Sequence, residues 1–203
     1  MTLTAHDDHI TTNRLHLRRM TEADLPFFTR IHADPEVARY IGLGRPRSVE
    51  ETRTWFDHLV EGYGMFGLGQ LAVIRKSDGA LIGRCGISYL EIESTPADGG
   101  AANGYFVRGE APAGVVTQVE PELGYTFDRS AWGQGFAREA AASVFAYVTG
   151  RSDVDRIVSL IHPDNVRSRR VALSFSAAQL DCVRAFGTIL DRYVWPTLVS
   201  PAP

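Results

Sequence analysis

The chain has 203 residues, 44% of them hydrophobic, and a formal net charge of −3. That is enough apolar content to bury one full core, and the slight acidity argues against a general nucleic-acid binder. No apolar run reaches the roughly 18 residues of a membrane span, and the polar start from Met1 to Ile10 lacks a signal peptide's apolar centre, so a cytoplasmic protein without a membrane partner is expected.

Residues 1–11 read as a flexible tail. Leu15, Leu17 and Met20, interleaved with His16, Arg18 and Arg19, mark a first strand. Thr21 with Asp24 predicts a capping box that opens a helix through about His32. Asp34-Pro35-Glu36 predicts a second, short helix with proline in its first turn. Ser48 with Glu51 opens a third through Glu61, with Val49, Trp55, Phe56 and Leu59 as its apolar contacts. From residue 70 the period changes. Gln70–Arg75 and Leu81–Ile92 read as strands joined at Lys76-Ser77-Asp78-Gly79, where Asp-Gly marks a hairpin.

The stretch 94–118 is rich in Gly, Ala and Pro and separates two strands. A loop this long is either a flexible insert or a functional lid or oligomer contact, and Tyr105 and Phe106 keep the second reading open. Val119–Phe127 and Arg156–Ile161 are further strands, and Asn165 to about Phe175 is a helix. Gln179–Phe186 and Thr188–Trp195 close the chain as two strands about Gly187, before a tail at 197–203. The order predicts one mixed α/β domain over residues 12–196. Cys85 and Cys182 lie in apolar strand-like runs and read as buried free thiols. The six histidines are scattered, and no Cys/His cluster has metal-ligand spacing.

Trp132-Gly133-Gln134-Gly135-Phe136-Ala137 is the most informative stretch. It follows the strand-like run Leu123–Phe127 and opens a helix striped by Phe136, Ala137, Ala140, Ala141, Val144, Phe145 and Val148. A glycine-rich turn there aims several backbone N–H groups at one spot, and the helix dipole adds partial positive charge. The turn is a candidate phosphate cradle, although paired glycines before a helix also occur in ordinary turns. The basic run Arg167, Arg169 and Arg170 reads as a solvated helix face or as a contact to a ligand phosphate.

These residues resemble the coenzyme A pyrophosphate loop of the GNAT acetyltransferase superfamily. That loop usually begins with Arg or Gln, then has a glycine three residues on and Gly or Ala two further. Here Trp132, Gly135 and Ala137 take those places. Trp132 and Glu139-Ala140 are similar to the branch of ribosomal-protein N-terminal (alanine/serine) acetyltransferases. So are Thr12-Asn13-Arg14-Leu15-His16-Leu17-Arg18, Asp34-Pro35-Glu36-Val37 and Asn165-Val166-Arg167-Ser168.

The resemblance implies a mostly antiparallel central sheet flanked by helices. It implies acetyl-CoA as co-substrate without a metal, and an amine-bearing acceptor, either a peptide N-terminus or a small molecule. It implies a monomer or homodimer. By the same resemblance Trp132, Gly133, Gln134, Gly135, Phe136 and Ala137 would hold the pyrophosphate through N–H groups from Gly133 to Ala137. Tyr125, Thr126 and Phe127 would pair with the pantetheine amides as a peptide pairs with a sheet edge. Asn165 and Ser168 would line the far side near the cofactor sulfur; Asn165 equally suits a helix N-cap, and Ser168 a solvent-facing helical position.

Acyl transfer to an amine needs a neutral amine, a polarised carbonyl and a leaving thiolate. Ser168 is the candidate hydrogen-bond donor to that thiolate, since no tyrosine lies between Tyr147 and Tyr193. Glu122, which alternation places opposite Leu123, Tyr125 and Phe127, reads as a general base acting through water or as an exposed strand carboxylate. No cysteine falls in the motifs, so direct attack in a ternary complex is expected. Glu91, Glu93, Glu120 and Glu122 would suit a cationic acceptor such as a polyamine or an aminoglycoside-like antibiotic. Two departures bear on the acceptor. The long insert replaces a short connection, and Leu173-Ser174-Phe175-Ser176 stands where the family has Glu-Lys-Leu-Gly. The second predicts a differently shaped helix end and leaves open a non-catalytic acyl-CoA-binding or sensing module.

Overall fold

Asp24 shows how local chemistry sets the first elements. It is 4% exposed, accepts the Thr21 N–H at 2.8 Å, and takes the Arg18 guanidinium fork at 2.7 and 2.8 Å. Burial alone would raise its carboxyl, but the Arg18 and Thr21 bonds hold it below its ordinary value. The predicted capping box thereby ends one strand and opens one helix, the first turn of which is 3-10 (Glu22–Asp24). The structure is a computed structural model that describes residues 9–66, 69–93, 104–107, 109–150, 154 and 156–196, without the side chains of 62 and 64–66. The tails at 1–8 and 197–203, and residues 94–103 and 108 of the expected insert, lie outside the described residues.

The chain divides into two compact units, residues 1–87 with 124–147, and residues 88–123 with 148–203. In the first unit, β1 (Ile10–Thr11), β2 (Leu15–Arg19), β3 (Gln70–Arg75) and the start of β4 (Leu81–Glu93) pair antiparallel in that order. Residues 10 and 11, expected in the flexible tail, thus form a strand on β2. Helices α1 (Leu25–His32), α2 (Pro35–Ala38) and α3 (Val49–Phe66) follow the predicted caps. Asp34 accepts the Glu36 N–H at 2.9 Å, while Ser48 and Glu51 exchange bonds at 3.1 and 2.8 Å. Their apolar faces bury Met20, Phe28, Ile31, Val37, Phe56 and Ala72 in one cluster, against which Trp55 and Trp132 pack.

The strand β6 (Thr117–Phe127), like β4, runs through both units. Its last residues lie so close to β4 that a Cβ on Gly83 would sit 2.3 Å from the Thr126 carbonyl oxygen. Burial along β6 falls on Glu120, Leu123, Thr126 and Phe127 instead of on every second residue, so period two alone does not fix which face Glu122 presents. Helix α4 (Phe136–Thr149) buries the predicted stripe, with Ala140, Ala141 and Val144 fully covered.

In the second unit, β5 (Gly104–Phe106) pairs with β4, and β8 (Ala178–Ala185) pairs with β5 and with β9 (Thr188–Val194). The strand β7 (Val158–Ile161) lies between β9 and β6. All these ladders are antiparallel except β5–β8 and β6–β7. The β8–β9 turn uses Phe186 and Gly187, both with positive φ, the geometry of a two-residue hairpin. The insert therefore contains a sheet strand, and Tyr105 within it is 3% exposed.

A buried charge network explains that strand. Arg192, 6% exposed, forks onto Asp181, with Nε to Oδ1 at 2.8 Å, and donates to the Tyr105 hydroxyl at 2.7 Å. Tyr105 in turn donates to Glu120, which also faces Arg156 at 3.1 Å and Arg192 at 3.5 Å. Burial pushes the Glu120 carboxyl up, and the two arginines oppose that shift. Glu120 is thus not the solvated carboxylate for a cationic acceptor that its sequence position suggested.

Candidate functional site

The sequence-predicted site residues fall into two groups, one in each unit. The first is the turn before α4. Gly133 and Gly135 both take positive φ, 74° and 79°, which only glycine adopts without strain. Among the described residues, the N–H groups of Gly133, Gln134, Gly135, Phe136 and Ala137 make no hydrogen bond within the protein; Glu139 N–H bonds Gly135 C=O at 3.1 Å. Nothing lies within 4 Å of where a Gly133 Cβ would stand. The turn is an open cradle of five donors at the positive end of a helix.

The cradle is held from below. Trp132 donates its indole N–H to the Phe127 carbonyl at 2.9 Å and packs on the apolar cluster. Gln134 donates its side-chain amide to the Ser130 carbonyl at 2.7 Å. Asp128 caps the 3-10 turn Arg129–Ala131 by accepting the Ser130 N–H at 2.9 Å, and it meets Arg30 of α1 at 2.7 Å. Of the predicted phosphate ligands, Trp132 and the Gln134 amide therefore brace the turn by their side chains, and their backbones alone remain candidates.

Arg14 is the residue beside the turn that sequence reasoning missed. Its Nη1 donates to the Gln134 carbonyl at 2.9 Å, and its guanidinium lies 4.6 Å from the centre of the Phe136 ring. Its Nε meets Glu139 at 2.6 Å, and Glu139 also accepts from Thr12 Oγ1 at 2.6 Å and Arg14 N–H at 2.8 Å. Burial would raise the Glu139 carboxyl, but these three donors hold it below its ordinary value. Glu139 therefore stays ionised and compensated, and a cation stands beside the cradle. Both residues occur in stretches that carry the family resemblance, but nothing in the sequence pairs them.

Tyr125, Thr126 and Phe127 end β6. Phe127 is buried against Gly83, Tyr125 is half-buried with its ring 6.3 Å from that of Phe127, and the buried Thr126 hydroxyl has no partner among the described residues.

The second group is Glu122, Asn165 and Ser168. Glu122 is half-buried and paired in parallel with Val158, the one residue pair of the β6–β7 ladder among the described residues. Helix α5 (Val166–Leu173) is capped by Asn165, whose Oδ1 accepts the Ser168 N–H at 3.2 Å. The capping reading of Asn165 is therefore the one its carbonyl oxygen takes. The Ser168 hydroxyl makes no hydrogen bond among the described residues. In the basic run, Arg169 bonds the Pro163 carbonyl at 3.3 Å.

The differently shaped end expected for α5 is corrected. Ser176 takes φ 59°, Ser176 N–H bonds Leu173 C=O at 3.1 Å, and Ala177 N–H bonds Ala172 C=O at 3.2 Å. This is the double bond pattern of a glycine-capped helix end, built on a serine. The expected burial of both thiols holds for Cys85, where it pushes the pKa up to about 12, but Cys182 is exposed.

Comparison with known proteins places the chain in a family. The acetyltransferase (GNAT) domain family matches residues 14–175. An uncharacterized N-acetyltransferase, p20, of Bacillus licheniformis is 26% identical over 192 residues, covering 92% of this chain and 94% of that protein. An acetyltransferase structure from Agrobacterium tumefaciens shares the fold at TM-score 0.68 and 24% identity, covering 97% of this chain and 98% of that one. RimL, a ribosomal L7/L12 alpha-N-protein acetyltransferase solved in complex with coenzyme A, shares it at TM-score 0.66 and 16% identity, over 92% of this chain and 97% of that one. The chain belongs to the GNAT family and is an acetyltransferase.

Proposed function

We propose that the protein is an acetyl-CoA-dependent N-acetyltransferase that moves the acetyl group to a primary amine by direct attack in a ternary complex. The run of five N–H groups from Gly133 to Ala137, unpartnered among the described residues, carries this reading. A pyrophosphate fits it: the donors converge at a helix N-terminus, the space over Gly133 is open, and Arg14 adds charge at the rim. Bound acetyl-CoA would supply the activated acyl group as a thioester. Tyr125, Thr126 and Phe127 would align the pantetheine arm along β6.

The remaining roles belong to the second group. The Ser168 hydroxyl, not engaged elsewhere, would hydrogen-bond the departing thiolate; with a thiol pKa near 8.5 no strong acid is needed. Asn165 would set the start of α5 and thereby the place of Ser168. Glu122 would take the amine proton through a water. An α-amine, with pKa about 8, loses that proton far more readily than a lysine-like amine near 10.4. Tying Glu120 into the Arg156–Tyr105–Arg192 network removes one carboxylate from the acidic patch that favoured polycations. We therefore favour a peptide N-terminus as acceptor, the kind of acceptor that RimL, an alpha-N-protein acetyltransferase of ribosomal L7/L12, is named for. Two free cysteines suit a reducing cytosol.

The test is thiol release from acetyl-CoA with peptide N-termini, polyamines and aminoglycosides offered separately. Release that requires a peptide amine supports the proposal. Release only with a polycation overturns the acceptor, and no release from protein that binds coenzyme A overturns transfer to any of these amines.

A further inference from the structure

Trp195, the residue after β9, donates its indole N–H to the Ser159 hydroxyl at 2.9 Å, and that hydroxyl lies 2.6 Å from the Leu123 carbonyl oxygen. An indole N–H only donates, so the Ser159 oxygen accepts it and the single hydroxyl proton goes to Leu123. The relay therefore runs one way, from Trp195 through Ser159 to the backbone of β6. Trp195 is 2% exposed, Ser159 6% and Leu123 1%, so the relay is shielded from bulk water.

These bonds fall beside the proposed base. Glu122 pairs with Val158 across β6 and β7, and Leu123 and Ser159 are the next residues on the two strands. On the other side of Glu122, Glu120 is held by the Tyr105 hydroxyl and by Arg156 at 3.1 Å. Glu120 and Leu123 are buried three residues apart, and Pro121 and Glu122 between them are half-buried. A strand that alternates strictly buries every second residue; this one is pinned at 120 and 123 and carries Glu122 between the pins. The Trp195 indole also stacks on Phe175, two residues past α5, with ring centres 5.1 Å apart, and the Trp195 backbone N–H bonds the Ile157 carbonyl at 3.0 Å. One residue thus ties the pin at Leu123 to the start of β7 and to the end of the helix that carries Ser168. All of these residues belong to the second unit.

We infer that Ser159 is a positioning residue for acetyl transfer: by fixing the Leu123 carbonyl it holds Glu122 where that carboxylate takes up the amine proton, and Trp195 orients the Ser159 hydroxyl for this task. The inference rests on the proposed role of Glu122 as the base. It assigns part of the rate to a hydroxyl that acts through the backbone of β6 rather than on the substrate. The rate given by a well-placed group falls steeply when that group is displaced, so a pin one residue away has a measurable effect.

The test is thiol release from acetyl-CoA, with whichever of peptide N-termini, polyamines and aminoglycosides the wild-type protein uses, read as kcat and KM separately. Ser159→Ala should lower kcat about tenfold and leave the acetyl-CoA KM within about twofold. In a Glu122→Gln background the same substitution should cost less than about twofold, because the pin then has no base to hold. Trp195→Phe keeps the stack on Phe175 and removes the donor; it should lower kcat at least about threefold, again only when Glu122 is present, and it carries the test if Ser159→Ala does not fold. Tyr193→Phe removes a hydroxyl of β9 that bonds Gln179 at 3.4 Å and should leave kcat unchanged. A kcat loss under about threefold in folded Ser159→Ala, an equal loss with and without Glu122, or an equal loss in Tyr193→Phe overturns the positioning role and leaves the base in place. A loss under about threefold in Glu122→Gln itself, or no release with any acceptor, overturns the proposed chemistry first and the positioning role with it.

Discussion

The Arg14 guanidinium stands at the lip of the glycine turn proposed to cradle a phosphate, its Nη2 lying 3.4 Å from where a Cβ on Gly135 would be. The cradle therefore has two parts that single substitutions can separate: a backbone shape that needs glycine and a charge that does not.

Arg14→Met should weaken coenzyme A binding by about tenfold to a hundredfold, the loss expected of a hydrogen bond to a charged group. The wild-type affinity should also fall more with added salt than the variant's, because an exposed charge is screened. Calorimetric titration at two salt concentrations reads both effects. Gly135→Val should raise the apparent KM for acetyl-CoA by at least about tenfold, because the residue is forced out of φ 79° and its side chain meets both Arg14 and the phosphate. Unchanged cofactor binding in Gly135→Val would remove the cradle from the turn.

Glu122→Gln should lower kcat on the order of 10²-fold with little change in acetyl-CoA KM, since general base catalysis contributes about that much. The rate loss should shrink as pH rises toward the pKa of the acceptor amine. A loss under about threefold at neutral pH would leave Glu122 as a strand carboxylate without a catalytic part.

Ser176 holds a left-handed conformation that costs a non-glycine residue about 1 kcal/mol, with φ 59° and both capping bonds of α5 in place. Ser176→Gly should therefore raise stability by about 0.5–1 kcal/mol, or roughly 2–4 °C in Tm for a chain of this size. Calorimetric melting checks it. A lower Tm would mean that the serine side chain contributes more than its backbone strain costs.

His32 gives the stability of the protein a pH dependence with a defined sign. Its folded pKa is about 3 against an ordinary 6.5, so below pH 6.5 the unfolded chain takes up a proton that the folded protein does not. Stability is full above pH 6.5 and falls toward pH 3, by about 1.4 kcal/mol per pH unit from this residue and on the order of 5 kcal/mol in all. His32→Phe should remove that slope. The measurement is urea unfolding of both proteins between pH 6.5 and 4.5; Asp24 and Glu139, whose pKa values are lowered, add the same acid-side slope to both proteins, so the difference between the two slopes belongs to His32. Equal slopes would mean that the imidazole titrates normally.

What the sequence made legible were features carried by residues close together in the chain. Thr21 with Asp24, Ser48 with Glu51, Asp78-Gly79 and Gly133 with Gly135 each act within a few residues, and the structure has the element each one predicts. What stayed hidden depends on distant pairs. The strand at Tyr105 forms where Glu120 and Arg192 meet, the latter 87 residues away, so a Gly-, Ala- and Pro-rich context read as a loop. Arg14 reaches the cradle through Glu139, 125 residues on. Ser176 misled for another reason: it stands where the resembled family has glycine, and serine avoids positive φ, but two capping bonds outweigh about 1 kcal/mol of strain.

The central claim is that the five N–H groups from Gly133 to Ala137 bind the pyrophosphate of coenzyme A. Amide-resolved NMR of the protein titrated with coenzyme A and, separately, with pantetheine tests it most directly. The account predicts large downfield amide proton shifts at Gly133 through Ala137 with coenzyme A and little change there with pantetheine, which lacks the pyrophosphate. Coenzyme A binding that leaves these five amides unmoved would contradict it.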